Sequence, residues 1–145
     1  MEIREIDYAS PEYQATLALR NRVMRLPLGL SIYDEDFSKE RQAHIVGAFE
    51  KNQLIGVGVL SKSVDATVTN VDYLCVDSTT QSKGVGKSLL RVLEDYSRQL
   101  GAKRVALEAR VSAQGFYESC GYRGSGEIYL MSHAPVPHFR MNKKL

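Results

Sequence analysis

The stretch Cys75-Val76-Asp77-Ser78-Thr79-Thr80-Gln81-Ser82-Lys83-Gly84-Val85-Gly86-Lys87-Ser88-Leu89-Leu90 constrains this chain more than any other. An apolar run ends at Val76, a polar turn follows, and Gly84 and Gly86 open a segment with strong helical periodicity. Such a strand-turn-helix unit aims backbone N–H groups and the positive end of a helix dipole at one spot, where anions and above all phosphates bind. Gly84 and Gly86 carry no Cβ, so an anionic group can come close to the backbone.

The neighbouring segments fit that unit. Val71 to Val76 has the composition of a strand covered on both faces. Asp72 is its one charged residue, and strict alternation puts it on the face of Leu74 and Val76. A break near Val68-Thr69-Asn70 is expected to separate this strand from Val64 onward. Val85, Leu89, Val92, Leu93, Tyr96 and Leu100 form a helical apolar stripe, stopped at Gly101. Lys83, Lys87 and Arg91 recur every four residues on another face of that helix. Arg104 to Ala109 reads as the next strand, and strand-helix-strand order implies a parallel crossover. A second helix is expected from Val111 to Cys120, ended by Gly121, with terminal strands around Ile128 to Met131 and His138 to Lys143.

Before the turn, Met1 to Asp7 suggests a short strand. Ser10-Pro11-Glu12 is a helix start: Ser10 can cap free N–H groups, Pro11 has none to lose, and Glu12 faces the positive dipole end. Tyr13, Leu17, Arg20 and Met24 follow at helical spacing, the helix should stop before Pro27, and Leu26 to Ile32 reads as a loop. His44 to Glu50 and Leu54 to Leu60 look like strands around a turn at Lys51-Asn52-Gln53. Between them and the first helix, Tyr33 to Glu40 concentrates acidic side chains. That segment is either a solvated loop or a negative rim, formed by Asp34, Glu35 and Asp36, that attracts a cationic amine.

Bulk properties narrow the functional classes. At 145 residues the chain reads as one domain, residues 1–145. Nineteen basic against 17 acidic side chains give a net charge of +2, which argues against nucleic acid as a partner. No apolar run approaches the ~20 residues of a membrane span and no signal-peptide core is visible, so no membrane and a cytoplasmic location are expected. Cys75 and Cys120 have no CxxC spacing and read as reduced buried thiols, and no histidine spacing suggests a metal.

Three phosphate-binding patterns compete at the turn. Gly86-Lys87-Ser88 matches the end of a P-loop, but the glycine required five positions before Gly86 is Gln81. The dinucleotide fingerprint G-x-G-x-x-G requires its third glycine at Leu89. The pattern that is filled is Q-x-x-G-x-G, by Gln81, Gly84 and Gly86. This resembles the acetyl-CoA motif of the GNAT superfamily of N-acetyltransferases. The resemblance extends to the strand ending at Val76, the helix after the turn, the strand Arg104 to Ala109, and Phe116-Tyr117-Glu118-Ser119-Cys120-Gly121-Tyr122, an aromatic-Tyr-x-x-x-Gly-aromatic pattern. Leu19 to Gly29 and Pro137-His138-Phe139-Arg140-Met141 are similar to the first helix and last strand of a small GNAT subgroup.

The resemblance implies an α/β (α+β) fold, with a mixed and mostly antiparallel sheet flanked by helices and a parallel strand-helix-strand core. It also implies direct transfer of an acetyl group from acetyl-CoA, the acyl donor, to an amine acceptor, either a small molecule or a protein amine, with no metal. Leu74, Cys75 and Val76 would pair with the pantetheine arm like an added strand, and a backbone N–H there would polarise the thioester carbonyl. The diphosphate would rest on Gln81, Ser82, Lys83, Gly84, Val85, Gly86, Lys87 and Ser88, while Ser112 and Phe116 complete the cofactor-binding set. Family members often carry an Asn where this chain reads Val111-Ser112-Ala113-Gln114, and Ser112 or Gln114 would take its place. Tyr117 falls at the position whose hydroxyl protonates the departing sulfur, and a phenol of reference pKa about 10 stays protonated at neutral pH. Asp72 is the sharpest candidate to take the amine proton, followed by Glu108 and His138, with His138 also a candidate acceptor contact. A non-catalytic acyl-CoA sensor of the same fold is the alternative, and a homodimer is left open.

Overall fold

The computed structural model describes residues 1–80 and 83–145. Within them, seven strands form one sheet in the order β1-β2-β3-β4-β5-β7-β6. In chain order the elements are β1 (Glu2–Glu5), α1 (Pro11–Arg20), β2 (His44–Glu50), β3 (Gln53–Lys62), β4 (Val68–Val76), α2 (Val85–Gln99), β5 (Arg104–Arg110), α3 (Gln114–Ser119), β6 (Arg123–Leu130) and β7 (Pro137–Lys144). Neighbouring strands pair antiparallel except β4 and β5, which are parallel because α2 crosses between them.

Both faces of the first half-sheet are covered. On one face Leu89, Leu90 and Leu93 of α2, each at most 1% exposed, pack against Val46, Leu60, Val71 and Val105. On the other, Tyr13 and Leu19 of α1 pack against Ile45, Val57, Val59 and Cys75. A buried hydroxyl pair, Thr69 with Ser97 at 2.7 Å, joins β4 to α2. Glu94 of α2 accepts from the Tyr122 hydroxyl (2.8 Å) and from Lys143 Nζ (3.1 Å), tying α2 to the C-terminal strands.

The N-terminal helix starts as its residues dictate: Ser10 Oγ accepts from the Tyr13 N–H, with Pro11 in the first turn. A π-helical turn (Asn21–Arg25) extends it, and it ends there, before Pro27 as expected; beyond Arg25, whose φ is −123°, a separate 3-10 turn (Leu26–Leu28) begins and ends at Gly29 with φ +72°. The expected loop is therefore partly helical, since proline costs nothing in a first turn. The buried face keeps Tyr13 and Arg20 of the expected series and adds Thr16 and Leu19, while Leu17 is only half-buried.

Two further expectations change. The break near Val68 to Asn70 is absent: β4 is continuous, and the chain turns earlier, at Asp65–Thr67, where Asp65 accepts from the Thr67 N–H and hydroxyl. The helix expected from Val111 to Cys120 is a 3-10 turn (Val111–Ala113) followed by α3, which is one and a half turns long.

Candidate active site

β4 and β5 are partners only from Val68 to Val71, opposite Arg104 to Leu107. Beyond that β4 continues to Val76 bonded to β3, and β5 continues to Arg110 bonded to β7, so the two strands part. A register shift marks the point of parting. Val59 faces Tyr73 and Leu60 faces Val71, which leaves Asp72 as the extra residue of a β-bulge. The bulge reverses the alternation: Leu74 and Val76 pack with Val71 toward α2, and Tyr73 and Cys75 pack toward α1. Asp72 thus sits at the shift and does not simply share one face with Leu74 and Val76.

A cleft of about 870 Å³ occupies the opening. Its floor is one face of β5 and β7, with Ala106, Glu108 and Arg110 opposite Asn142, Arg140 and His138 in register. Those positions face the side of the sheet on which α1 covers the first half, and α1 makes its main sheet contacts with β3 and β4. Tyr73, Leu74, Asp72 and Tyr117 form walls, and Met24, Arg25, Glu35 and Asp36 close one end together with His133 and Ala134.

Tyr117 is half-buried in that wall, edge-on to Phe116 and Tyr122 at 5.1 and 5.9 Å between ring centroids. Burial pushes its phenol well above the ordinary tyrosine value, so it stays protonated. The glycine turn is joined to it by packing. A Cβ on Gly86 would lie 3.3 Å from the Phe116 ring and 3.5 Å from Val76. The glycine that the sequence offers to an anion thus also lies beside the Phe116 ring.

Gly84 precedes α2 with φ +79°, a left-handed conformation natural to glycine, and no side chain caps the helix. N–H groups of an uncapped first turn remain available to an anion. Lys83, Lys87 and Arg91 are exposed, Val85 is buried, and Ser88 bonds its N–H to the Gly84 carbonyl. Asp77 shapes the turn by accepting from the Thr79 N–H and hydroxyl, and Arg22 holds it at 2.8 Å. Gln81 and Ser82 lie outside the described residues.

The acidic segment divides. Glu35 is fastened to Arg25, whose Nε and Nη2 donate to its carboxylate at 2.6 and 3.2 Å, while Nη2 also donates to the Tyr73 hydroxyl at 2.9 Å. Asp36 lines the cleft and accepts from the Ser38 N–H, which holds its carboxyl below the usual range. Asp34 is exposed and is not among the residues lining the cleft. Asp72 retains surface on the cleft wall, yet desolvation by those walls raises its carboxyl above the ordinary value, with Glu40 and Glu108 adding to the rise against a Ser61 hydrogen bond. His138 is buried, and its Nδ1 lies 2.7 Å from the Val136 carbonyl. A carbonyl only accepts, so the proton is on Nδ1. Cys75 is buried facing α1, and Ser112 is exposed in the 3-10 turn.

A strand opened at a bulge, a phenol on the wall of the opening and an uncapped helix N-terminus thus belong to neighbouring elements of one molecule. The sequence profile of the acetyltransferase (GNAT) family matches residues 6–122. The chain belongs to the GNAT acetyltransferase family. Its similarity to other GNAT proteins is broad in fold and low in identity. The uncharacterized protein YyaT of Bacillus subtilis is 23% identical over 113 residues, spanning 78% of this chain and 74% of that one. The crystal structure of a candidate N-acetyltransferase from Lactobacillus plantarum superposes with TM-score 0.83 at 26% identity, covering 100% of this chain and 99% of the other. A GNAT family acetyltransferase from Elizabethkingia anophelis, solved with acetyl-CoA bound, shares the fold with TM-score 0.71 at 16% identity over 99% and 97% of the two chains.

Sequence reasoning missed two cleft residues of this GNAT chain. Arg110 lies one residue past the expected end of β5, and alternation from Glu108 would have placed it on the same face. Arg25 carries no such signal: nothing in its spacing announces the π-helical turn that buries it.

Proposed function

We propose that this protein moves the acetyl group of acetyl-CoA to a primary amine by direct attack within a ternary complex. The observation that carries the proposal is the parting of β4 from β5 at the Asp72 bulge, with the Tyr117 phenol on the wall of the opening. The edge of β4 released there offers backbone groups to an extended pantetheine arm, as an added strand would use them. One of its N–H groups is suited to polarise the thioester carbonyl, being fixed before substrate arrives. The uncapped start of α2 at Gly84 would take the diphosphate.

In the transfer, the amine nitrogen bonds to the thioester carbon, the C–S bond breaks, and the departing sulfur takes the Tyr117 proton. Burial keeps that proton in place until the sulfur develops charge. The amine must shed a proton first. Asp72, whose raised carboxyl is a better base than a free one, shares the cleft with Glu108 and His138. Thiol release from acetyl-CoA across a panel of amines tests the proposal, with Tyr117→Phe as control. Acetyl-CoA binding without thiol release from any amine would point instead to a non-catalytic acyl-CoA sensor.

A further inference from the structure

The floor of the cleft carries arginines that differ in how they are balanced. Arg104 donates to the Asn142 side chain across the β5–β7 pair. Arg140 stands directly opposite Glu108 in register. Arg25, at the closed end, holds Glu35 through two hydrogen bonds. Arg110 stands opposite His138 and has no such counterpart. Its Nη2 donates to the Met24 carbonyl at 2.9 Å, its Nε is buried without a partner, and no ion pair to it forms among the described residues. The charged group nearest to it in effect is another cation, Arg25, and burial together with that neighbour disfavours its charged form.

A guanidinium in this state is costly. It cannot shed its proton at physiological pH, so partial burial beside a second cation has to be offset by something. One neutral carbonyl offsets little of it. The remaining donors are on a group that lines the cleft, and the rigid planar fork is the side chain best matched to a carboxylate. Among the acidic residues that line the cleft, Glu35 is held by Arg25, Glu108 faces Arg140 two positions back along the strands, and neither Asp36 nor Asp72 forms an ion pair with Arg110 among the described residues.

We propose that Arg110 binds a carboxylate of the acceptor, so that the acceptor is an amino-acid-like molecule carrying an amine and a carboxylate together. The placement suits this. Arg110 lies at the cleft end closed by Met24, Arg25 and His138, while Asp72 and Glu108 remain along the cleft to receive the ammonium end. The inference rests on the transfer reading above and narrows its acceptor.

The test compares each amino acid of a small panel with its amide, which keeps the amine and removes the negative charge. Two readouts are taken: thiol release from acetyl-CoA, and the melting-temperature rise that each compound gives to the CoA-loaded protein. The wild type is expected to favour the acid over the amide by roughly tenfold or more in kcat/KM, the range of a charge-assisted hydrogen bond. Arg110→Gln is expected to collapse that ratio toward one, and Arg110→Lys to recover part of it. Because the acid-to-amide ratio is first measured on the wild type, a variant that fails to fold does not stop the test. Equal use of acid and amide by the wild type overturns the proposal, as does an unchanged ratio in Arg110→Gln. A preference for succinyl-CoA over acetyl-CoA that depends on Arg110 would also overturn it, by giving the carboxylate to the donor. Acids that raise the melting temperature through Arg110 without thiol release would keep Arg110 as a carboxylate site but defeat the transfer reading, and with it the assignment of that carboxylate to an acceptor. Thiol release with acid and amide alike would do the reverse.

Discussion

Arg20 and Glu40 form a buried bidentate ion pair, with Nη1 and Nη2 2.8 and 2.9 Å from the two carboxylate oxygens. Arg20 is fully buried, and the Tyr13 hydroxyl donates to the same carboxylate at 2.7 Å. The pair fastens the last turn of α1 to the segment that leads into β2. Removing Glu40 leaves Arg20 charged and without a carboxylate. Glu40→Ala should therefore cost about 3–5 kcal/mol of stability, whereas replacing both residues by leucine should cost less. Urea unfolding of the two variants decides the matter, and a double variant that loses more than Glu40→Ala would overturn the expectation.

Tyr117→Phe removes one oxygen and leaves the ring contacts with Phe116 and Tyr122. Turnover should drop about a hundredfold or more, with melting temperature nearly unchanged. Because burial raises the phenol above its ordinary value, loss of its proton should not limit the rate below about pH 10. A wild-type rate that declines on an alkaline limb well under pH 10, and a Phe variant that keeps the same limb, would assign that limb to another group.

The two thiols should react differently. Cys75 is 2% exposed, and burial pushes its thiol up to about 12, so its thiolate is scarce at pH 8. Cys120 is half-buried at the end of α3. A disulfide reagent at pH 8 should therefore modify Cys120 promptly and Cys75 only on unfolding, as counted by chromophore release before and after denaturant.

The two glycines of the turn should fail in different ways. Gly84→Ala forces a Cβ into left-handed backbone with nothing else in contact, and should cost about 1 kcal/mol of stability. Gly86→Ala meets the Phe116 ring at 3.3 Å and displaces it. The KM for acetyl-CoA should rise more in Gly86→Ala than in Gly84→Ala, although its backbone is the less strained of the two. Steady-state kinetics beside thermal melting separates the two effects.

Much of this arrangement was readable in the chain, because it depends on local chemistry. Ser10 caps α1, Leu89 and Leu93 bury the stripe of α2, and the crossover to β5 is parallel, each as composition and spacing require. What escaped depends on partners distant in sequence. The Asp72 bulge is a property of pairing with Val59 and Leu60, and no pattern within β4 announces it. Arg20 falls in the helical series of Tyr13, Leu17 and Met24, but nothing near it in sequence names Glu40, 20 residues on, as the carboxylate that lets it be buried. Asp34, Glu35 and Asp36 look equivalent as a run, yet Arg25 claims only one of them. The acidic rim that seemed to favour a cation is in this way partly cancelled, while Arg110 adds a positive charge.

β7 is the last strand in chain order but lies between β5 and β6. Synthesis order and spatial order therefore disagree in this half of the molecule. The β1–β4 meander can close as it emerges, whereas β5 and β6 must wait, each with an unsatisfied edge, for a strand made after both. His138, Arg140 and Asn142 arrive with it, so the cleft has no floor until that final insertion. A lesion in Pro137–Lys144 would thus act first on yield, through aggregation of a chain whose N-terminal half is already sound, and only secondarily on catalysis.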